Sequence, residues 1–169
     1  MHFIENEEYY ESADIAERDV RDEYYNPPAF ALHDFNLDGS PELLVFSGSA
    51  EYFDSLTYVY RYDNGDVSWY GDLPGILYIT YRYGNDPNYT GLFYDWGDEG
   101  EYGSEYCWVE GNELITEAVE SNVEEYDNTD DKTLYNANKN AKSKLEFVSK
   151  TIYKKIGWDG FVGKYDLPN

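Results

Sequence analysis

Between residues 29 and about 121, turn signals recur too often to leave room for helices, and this spacing constrains the fold more than any other feature. Asn64-Gly65 separates 56–62 (LTYVYRY) from 67–70, and Asn-Gly is a strong hairpin signal because both turn positions favour positive φ. Gly111-Asn112 separates 106–110 from 113–119 in the same manner. Further strand-like runs lie at 29–33, 42–47, 76–82 and 91–96, with a long acidic loop expected over 97–104. In 56–62, alternation puts Tyr58, Tyr60 and Tyr62 on one face and Thr57, Val59 and Arg61 on the other.

The two ends read differently. Tyr9, Ala13, Ala16, Val20 and Tyr24 recur at helical steps, and Asn26-Pro27-Pro28 ends that segment, which predicts a helix over 1–26. Leu145, Val148, Ile152 and Ile156 recur at steps of three and four, which predicts a second helix that stops at Gly157. The expectation is an α+β fold: an N-terminal helix, an antiparallel meander of about seven or eight strands over 29–121, and a basic C-terminal helical segment over 132–169. At 169 residues this forms a single domain, 1–169.

Charge narrows the partners. The formal net charge is −23, yet 19% of residues are aromatic, so the chain is acidic without the composition of a disordered one. Residues 1–131 hold 32 acids and 4 bases, and 132–169 hold 8 lysines and 3 acids, so the basic segment is expected to pack on the acidic body. Such a field repels nucleic-acid phosphates and anionic membrane surfaces and suits a basic protein partner. No run approaches a membrane span, so no membrane insertion is expected. The opening MHFIENEEYYES has no signal-peptide pattern, so the chain either stays in the cytoplasm or has lost an export leader.

The most informative stretch is Asp34-Phe35-Asn36-Leu37-Asp38-Gly39-Ser40-Pro41-Glu42. Oxygen-bearing side chains stand at loop positions one, three and five. Gly39 permits a sharp turn, the Ser40 carbonyl adds a donor, and Glu42 closes the loop. Alternating short oxygen ligands on a tight loop suit Ca²⁺, which takes about 6–8 oxygens. The loop is not an EF-hand, because Val45 stands where the closing Glu would be and the flanks are strand-like. The competing reading is a metal-free turn in which Asp34 and Asn36 accept from backbone amides.

The run FALHDFNLDGSPELLVFSGS, the Tyr-rich strand after it and YDNGDV resemble the calcium-loop unit of FG-GAP/VCBS-type repeats, in the single-unit form of secreted or lipid-anchored proteins of gut Firmicutes. The resemblance implies Asp34, Asn36, Asp38, Ser40 and Glu42 as ligands of a structural Ca²⁺ ion, an N-terminal helix, a hairpin meander, and export to the envelope or beyond. It implies no activity. The chain departs from the pattern in showing no export signal and in its Lys-rich C-terminal segment.

Catalytic signals are weak. His33 and Asp34 are strand neighbours that point to opposite faces and so form no dyad, His2 stands at the terminus, and Cys107 in YCWV reads as a buried strand thiol. With 35 acids no carboxylate pair is privileged for hydrolysis, and no phosphate-cradling glycine motif is present. Trp69, Trp96 and Trp108 are candidates for an aromatic platform that stacks glycan or peptide groups, set against ordinary cross-strand packing. The expectation is a non-enzymatic, calcium-stabilised binding module of a bacterial envelope or secreted protein, with a protein or glycan ligand. The alternative is a cytoplasmic acidic inhibitor of anti-CRISPR or anti-restriction type that mimics nucleic acid against a basic partner.

Overall fold

Residues 29–47, 56–63, 66–74, 79–98, 100–123 and 128–165 are described in the computed structural model. Their first eight strands run β1 (Ala29–His33), β2 (Glu42–Ser47), β3 (Leu56–Asp63), β4 (Asp66–Pro74), β5 (Thr80–Tyr83), β6 (Leu92–Asp98), β7 (Glu101–Glu110) and β8 (Glu113–Ser121). Then follow helix α1 (Lys132–Asn140), two short strands β9 (Ser143–Lys144) and β10 (Val148–Ser149), and helix α2 (Lys150–Val162). The strands form two five-stranded sheets, ordered β10-β1-β2-β3-β4 and β8-β7-β6-β5-β9, with every pairing antiparallel.

The layering follows from alternation along the strands. Ala31, Leu44, Val59 and Leu73 of the first sheet meet Tyr81, Leu92, Tyr94 and Cys107 of the second in a core between the sheets. The opposite face of the first sheet, with Phe30, Leu32, Val45 and Tyr60, is covered by Tyr153 and Phe161 of α2. The opposite face of the second, with Phe93, Tyr106 and Val119, is covered by Leu134 and Ala137 of α1. The order of layers is helix, sheet, sheet, helix. Strand β1 is therefore buried on both faces, which explains the continuous apolar run Ala29 to Leu32. Burying a side chain such as Phe161 completely contributes about 1.5–3 kcal/mol.

This corrects the α+β expectation. Of the described residues 52% are strand and 19% helix, and the strands form two packed sheets rather than one meander. The helix expected over 1–26 and the Asn64-Gly65 turn lie outside the described residues, although β3 and β4 do pair down to Asp63 opposite Asp66. The acidic loop expected over 97–104 is largely strand, because β7 begins at Glu101 and pairs with β6 through Asp98.

The C-terminal segment departs furthest from the helical reading. Leu145 and Phe147 turn into the core between the sheets while Glu146 faces water, a strand period rather than a helical one. Here the chain crosses from the second sheet, where the Leu145 amide donates to the Tyr81 carbonyl (2.9 Å), to the first, where Val148 pairs with Phe30. Ser149 then caps α2, whose buried face is Tyr153 and Phe161, and Ile152 is left exposed. Gly157 does end the first helical stretch, as expected: it takes φ 68 and ψ −175, outside the helical region, and a second helical stretch follows it to Val162.

Arg82 of β5 ties α1 to the second sheet. Its Nε and Nη2 donate to both Asp95 oxygens (2.7 and 2.6 Å), and Nη2 also reaches Asn138 Oδ1 (2.8 Å). Its Nη1 reaches the carbonyls of Asn138 (3.0 Å) and Ala141 (2.8 Å), satisfying the end of α1. Asn138 in turn donates to Ser104 Oγ (2.9 Å).

Candidate functional site

The loop between β1 and β2 is a hairpin connection whose last ladder pair is His33 with Glu42. Two left-handed residues turn it, Leu37 (φ 56) and Gly39 (φ 84). Between them the Asp38 amide donates to Asp34 Oδ1 (3.1 Å) and to Asn36 Oδ1 (3.0 Å). The Gly39 amide donates to Asp34 Oδ2 (2.8 Å), and the Ser40 amide to Asp38 Oδ1 (2.8 Å). The alternating oxygens thus point inward along one turn, as the spacing requires, and accept from the loop's own backbone.

Glu42 lies beneath this turn with its side chain fully buried. Its Oε2 accepts from the Phe35 amide (3.1 Å). Its Oε1 is buried and accepts no hydrogen bond from the described residues. Burial pushes the Glu42 carboxyl up to about 7, against the Phe35 amide and Arg61, and the charge of Asp34 adds to the rise. Asp38 is shifted the other way. Slight burial raises it, but the Ser40 amide, Asn36 and Arg61 together hold it below the ordinary range.

Arg61 is the residue that the sequence pattern did not assign to this site. From β3 its Nη2 donates to Asp38 Oδ2 (2.9 Å), where Asn36 Nδ2 also donates (3.1 Å), and its Nη1 reaches the Tyr70 hydroxyl (3.3 Å). One signal was available. Arg61 shares the alternation of Thr57 and Val59, both fully buried, and a cation at the end of an inward-facing row needs an acidic partner.

The loop is also fixed to the second sheet. His33 Nε2–H donates to the Thr90 carbonyl (2.8 Å), because a carbonyl can only accept, and Thr90 Oγ1 donates back to the Phe35 carbonyl. Burial holds the His33 imidazole below its usual value, against the Thr90 and Gly91 carbonyls and Asp34, so the ring is neutral and structurally engaged. Cys107 lies in the core between the sheets, donates to the Leu92 carbonyl (3.2 Å), and has its thiol pushed up by burial.

Asp34, Asn36, Asp38, Ser40 and Glu42 are therefore gathered in one hairpin. Among the described residues, however, no group of three or more His, Cys, Asp or Glu side chains is drawn together as a metal cage. The donor set is all oxygen, which suits a hard cation, and the buried unpaired oxygen of Glu42 faces a cost that a cation would relieve. The residues fit Ca²⁺ by chemistry.

The three tryptophans do not share a surface. Trp69 of β4 is 56% exposed and pairs with Tyr60 on the first sheet. Trp96 packs against the core between the sheets, over Gly103, where a Cβ would meet the indole at 2.5 Å. Trp108 stacks on Tyr106 (centroids 5.3 Å apart, 17° between planes) on the outer face of the second sheet. It lines a cavity of about 320 Å³ with Asn36 and Tyr89.

No helix among the described residues is long and apolar enough to cross a membrane. No family model matches the chain, and comparisons with curated proteins and with solved structures likewise find no match.

Proposed function

We propose that this chain is a non-enzymatic binding module whose β1–β2 hairpin is stapled by one Ca²⁺ ion, working in the envelope or outside a bacterial cell. The observation that carries the reading is the fully buried Glu42 carboxylate with one oxygen unpaired beneath a turn of oxygen donors. Ionising a buried carboxyl that has one oxygen without a hydrogen bond is costly, which is why its protonation is favoured without metal, and a divalent cation offsets that cost. Asp34, Asn36, Asp38, the Ser40 carbonyl and Glu42 would hold the ion, which supplies structural charge only. Millimolar Ca²⁺ outside cells would keep even a weak loop filled, which supports the envelope or secreted location.

The non-enzymatic reading rests on the fate of the reactive groups. His33 spends its N–H on Thr90, and Cys107 is buried with a raised thiol. Neither is poised as a base or nucleophile.

The test is a thermal melt of chelator-stripped protein with and without CaCl₂, with MgCl₂ at matched ionic strength as control. Free Ca²⁺ at 100 times its dissociation constant should stabilise the fold by about 2.7 kcal/mol, and Asp38→Ala should remove the gain. An equal rise with Mg²⁺ would mean charge screening and would sink the proposal.

A further inference from the structure

Beside the hairpin lies a cavity of about 330 Å³, at the small end of ligand sites, which run ~300–1,000 Å³. Its apolar walls are Leu37 from the hairpin, Tyr83 at the end of β5, Pro87 from the β5–β6 loop, and Leu145 and Tyr165 from the C-terminal segment. Its acids are Asp34 and Asp86, and no Lys or Arg lines it. His33 shares the wall, with its N–H given to the Thr90 carbonyl (2.8 Å). The Tyr165 hydroxyl donates to the Glu146 carbonyl (2.8 Å), and Asp86 is positioned by Asn88, whose amide and Nδ2 both donate to Asp86 Oδ1 (3.0 Å each).

Leu37 is the unexpected member. It is the one non-glycine residue with positive φ among the described residues, at φ 56, and it is 57% exposed. A left-handed turn position favours Gly or Asn, so a leucine here is strained. The strain wins Leu37 no place in the buried core clusters. It does place a branched aliphatic side chain on the rim of the cavity.

We infer that this cavity takes the side chain of a lysine or arginine from a basic segment of a partner protein. The aliphatic stem would lie against Leu37, Pro87 and Leu145, the cationic head would sit among the tyrosine rings, and Asp86 would supply the counter-charge. The net charge of −23 draws such a segment toward the surface, and the acids and rings of the cavity select where its side chain enters. This names the partner class of the binding module and rests on that reading, since the hairpin that a cation would staple forms one wall.

The test is a nitrogen-15 NMR titration at about 150 mM salt, which screens general attraction to an acidic surface. The probes are acetyl-lysine amide and acetyl-arginine amide (each acetylated at the α-amine), with acetyl-norleucine amide as the uncharged control. Saturable shifts centred on Leu37, Tyr83, Asn85 and Leu145 are expected with the basic probes and not with norleucine. Asp86→Asn should weaken binding about two- to fivefold. Leu37→Asn should weaken binding too, while the melting temperature holds or rises because the strain is relieved. A melt that falls together with binding would mean that Leu37 serves the fold, and would overturn its assigned role. Equal response to norleucine, or shifts spread over the acidic surface and unmoved by Asp86→Asn, would overturn the inference as a whole. Repeating the titration with chelator and with CaCl₂ separates the two proposals: melts report on the metal loop, and these shifts report on the cavity.

Discussion

Arg82 and Arg61 each stand in a strand and each reach an acid, yet they sit in opposite kinds of site. Arg82 is 15% exposed and makes five hydrogen bonds, two of them to one carboxylate and two to carbonyls at the end of α1. Its polar neighbourhood is complete. Arg61 makes one ion pair to Asp38 and one long bond to Tyr70, and close by the buried Glu42 keeps an oxygen unpaired. The first is a finished clamp between a helix and a sheet. The second leaves a buried carboxylate oxygen without a hydrogen bond, which is why the proposed cation is placed there and not at Arg82.

The largest effect should come from breaking the finished clamp. Arg82→Met leaves Asp95, Asn138 and two helix-end carbonyls short of donors, and should cost about 2–4 kcal/mol in chemical denaturation. Arg82→Lys keeps the charge but loses the fork, and should fall between. If Arg82→Met were neutral, the completeness ascribed to this node would be wrong.

Removing the unpaired anion should erase the calcium response. In Glu42→Gln, saturating CaCl₂ should no longer give the gain of about 2.7 kcal/mol expected of the parent chain. A preserved gain would place the ion elsewhere.

The same variant sharpens the comparison through pH. Glu42 has its folded carboxyl raised from 4.5 to about 7, so the fold favours the protonated form. Without metal, its contribution is fully present below about pH 4.5 and is lost as pH rises through about 7. Chelated parent protein should therefore lose on the order of 2 kcal/mol across that window relative to Glu42→Gln. Parallel pH curves for the two proteins would contradict the raised carboxyl. The charges facing Glu42 are Asp34 and Arg61.

The smallest effect belongs to Arg61. Its pair with Asp38 is partly exposed, so Arg61→Met should change metal-free stability by less than about 1 kcal/mol. It should also lower the calcium concentration at the midpoint of the melt response, because a competing cation is gone from Asp38. A raised midpoint would show that Arg61 supports the loop instead.

Strands β1, β2 and β3 and the Gly111-Asn112 hairpin were legible because local alternation and turn chemistry decide them. The 34–42 turn was legible for the same reason: spacing alone places Asp34, Asn36 and Asp38 on one concave side, and Gly39 is needed at φ 84. The C-terminal reading failed because Leu145, Val148, Ile152 and Ile156 fit a helical period by coincidence of spacing. Pairing with two different sheets outweighed that local preference.

The sequence by itself determined the acidic field, the strand-rich middle and the oxygen-donor turn, all of which depend on neighbours along the chain. Tertiary structure alone decided the division into two sheets and the meeting of Arg82 with Asn138, 56 residues away. It also decided which acid would be buried with an oxygen left over. Burial and charge pairing are set by what lies across a core, and nothing in the spacing of residues 34–42 records that Glu42 would be sealed beneath them.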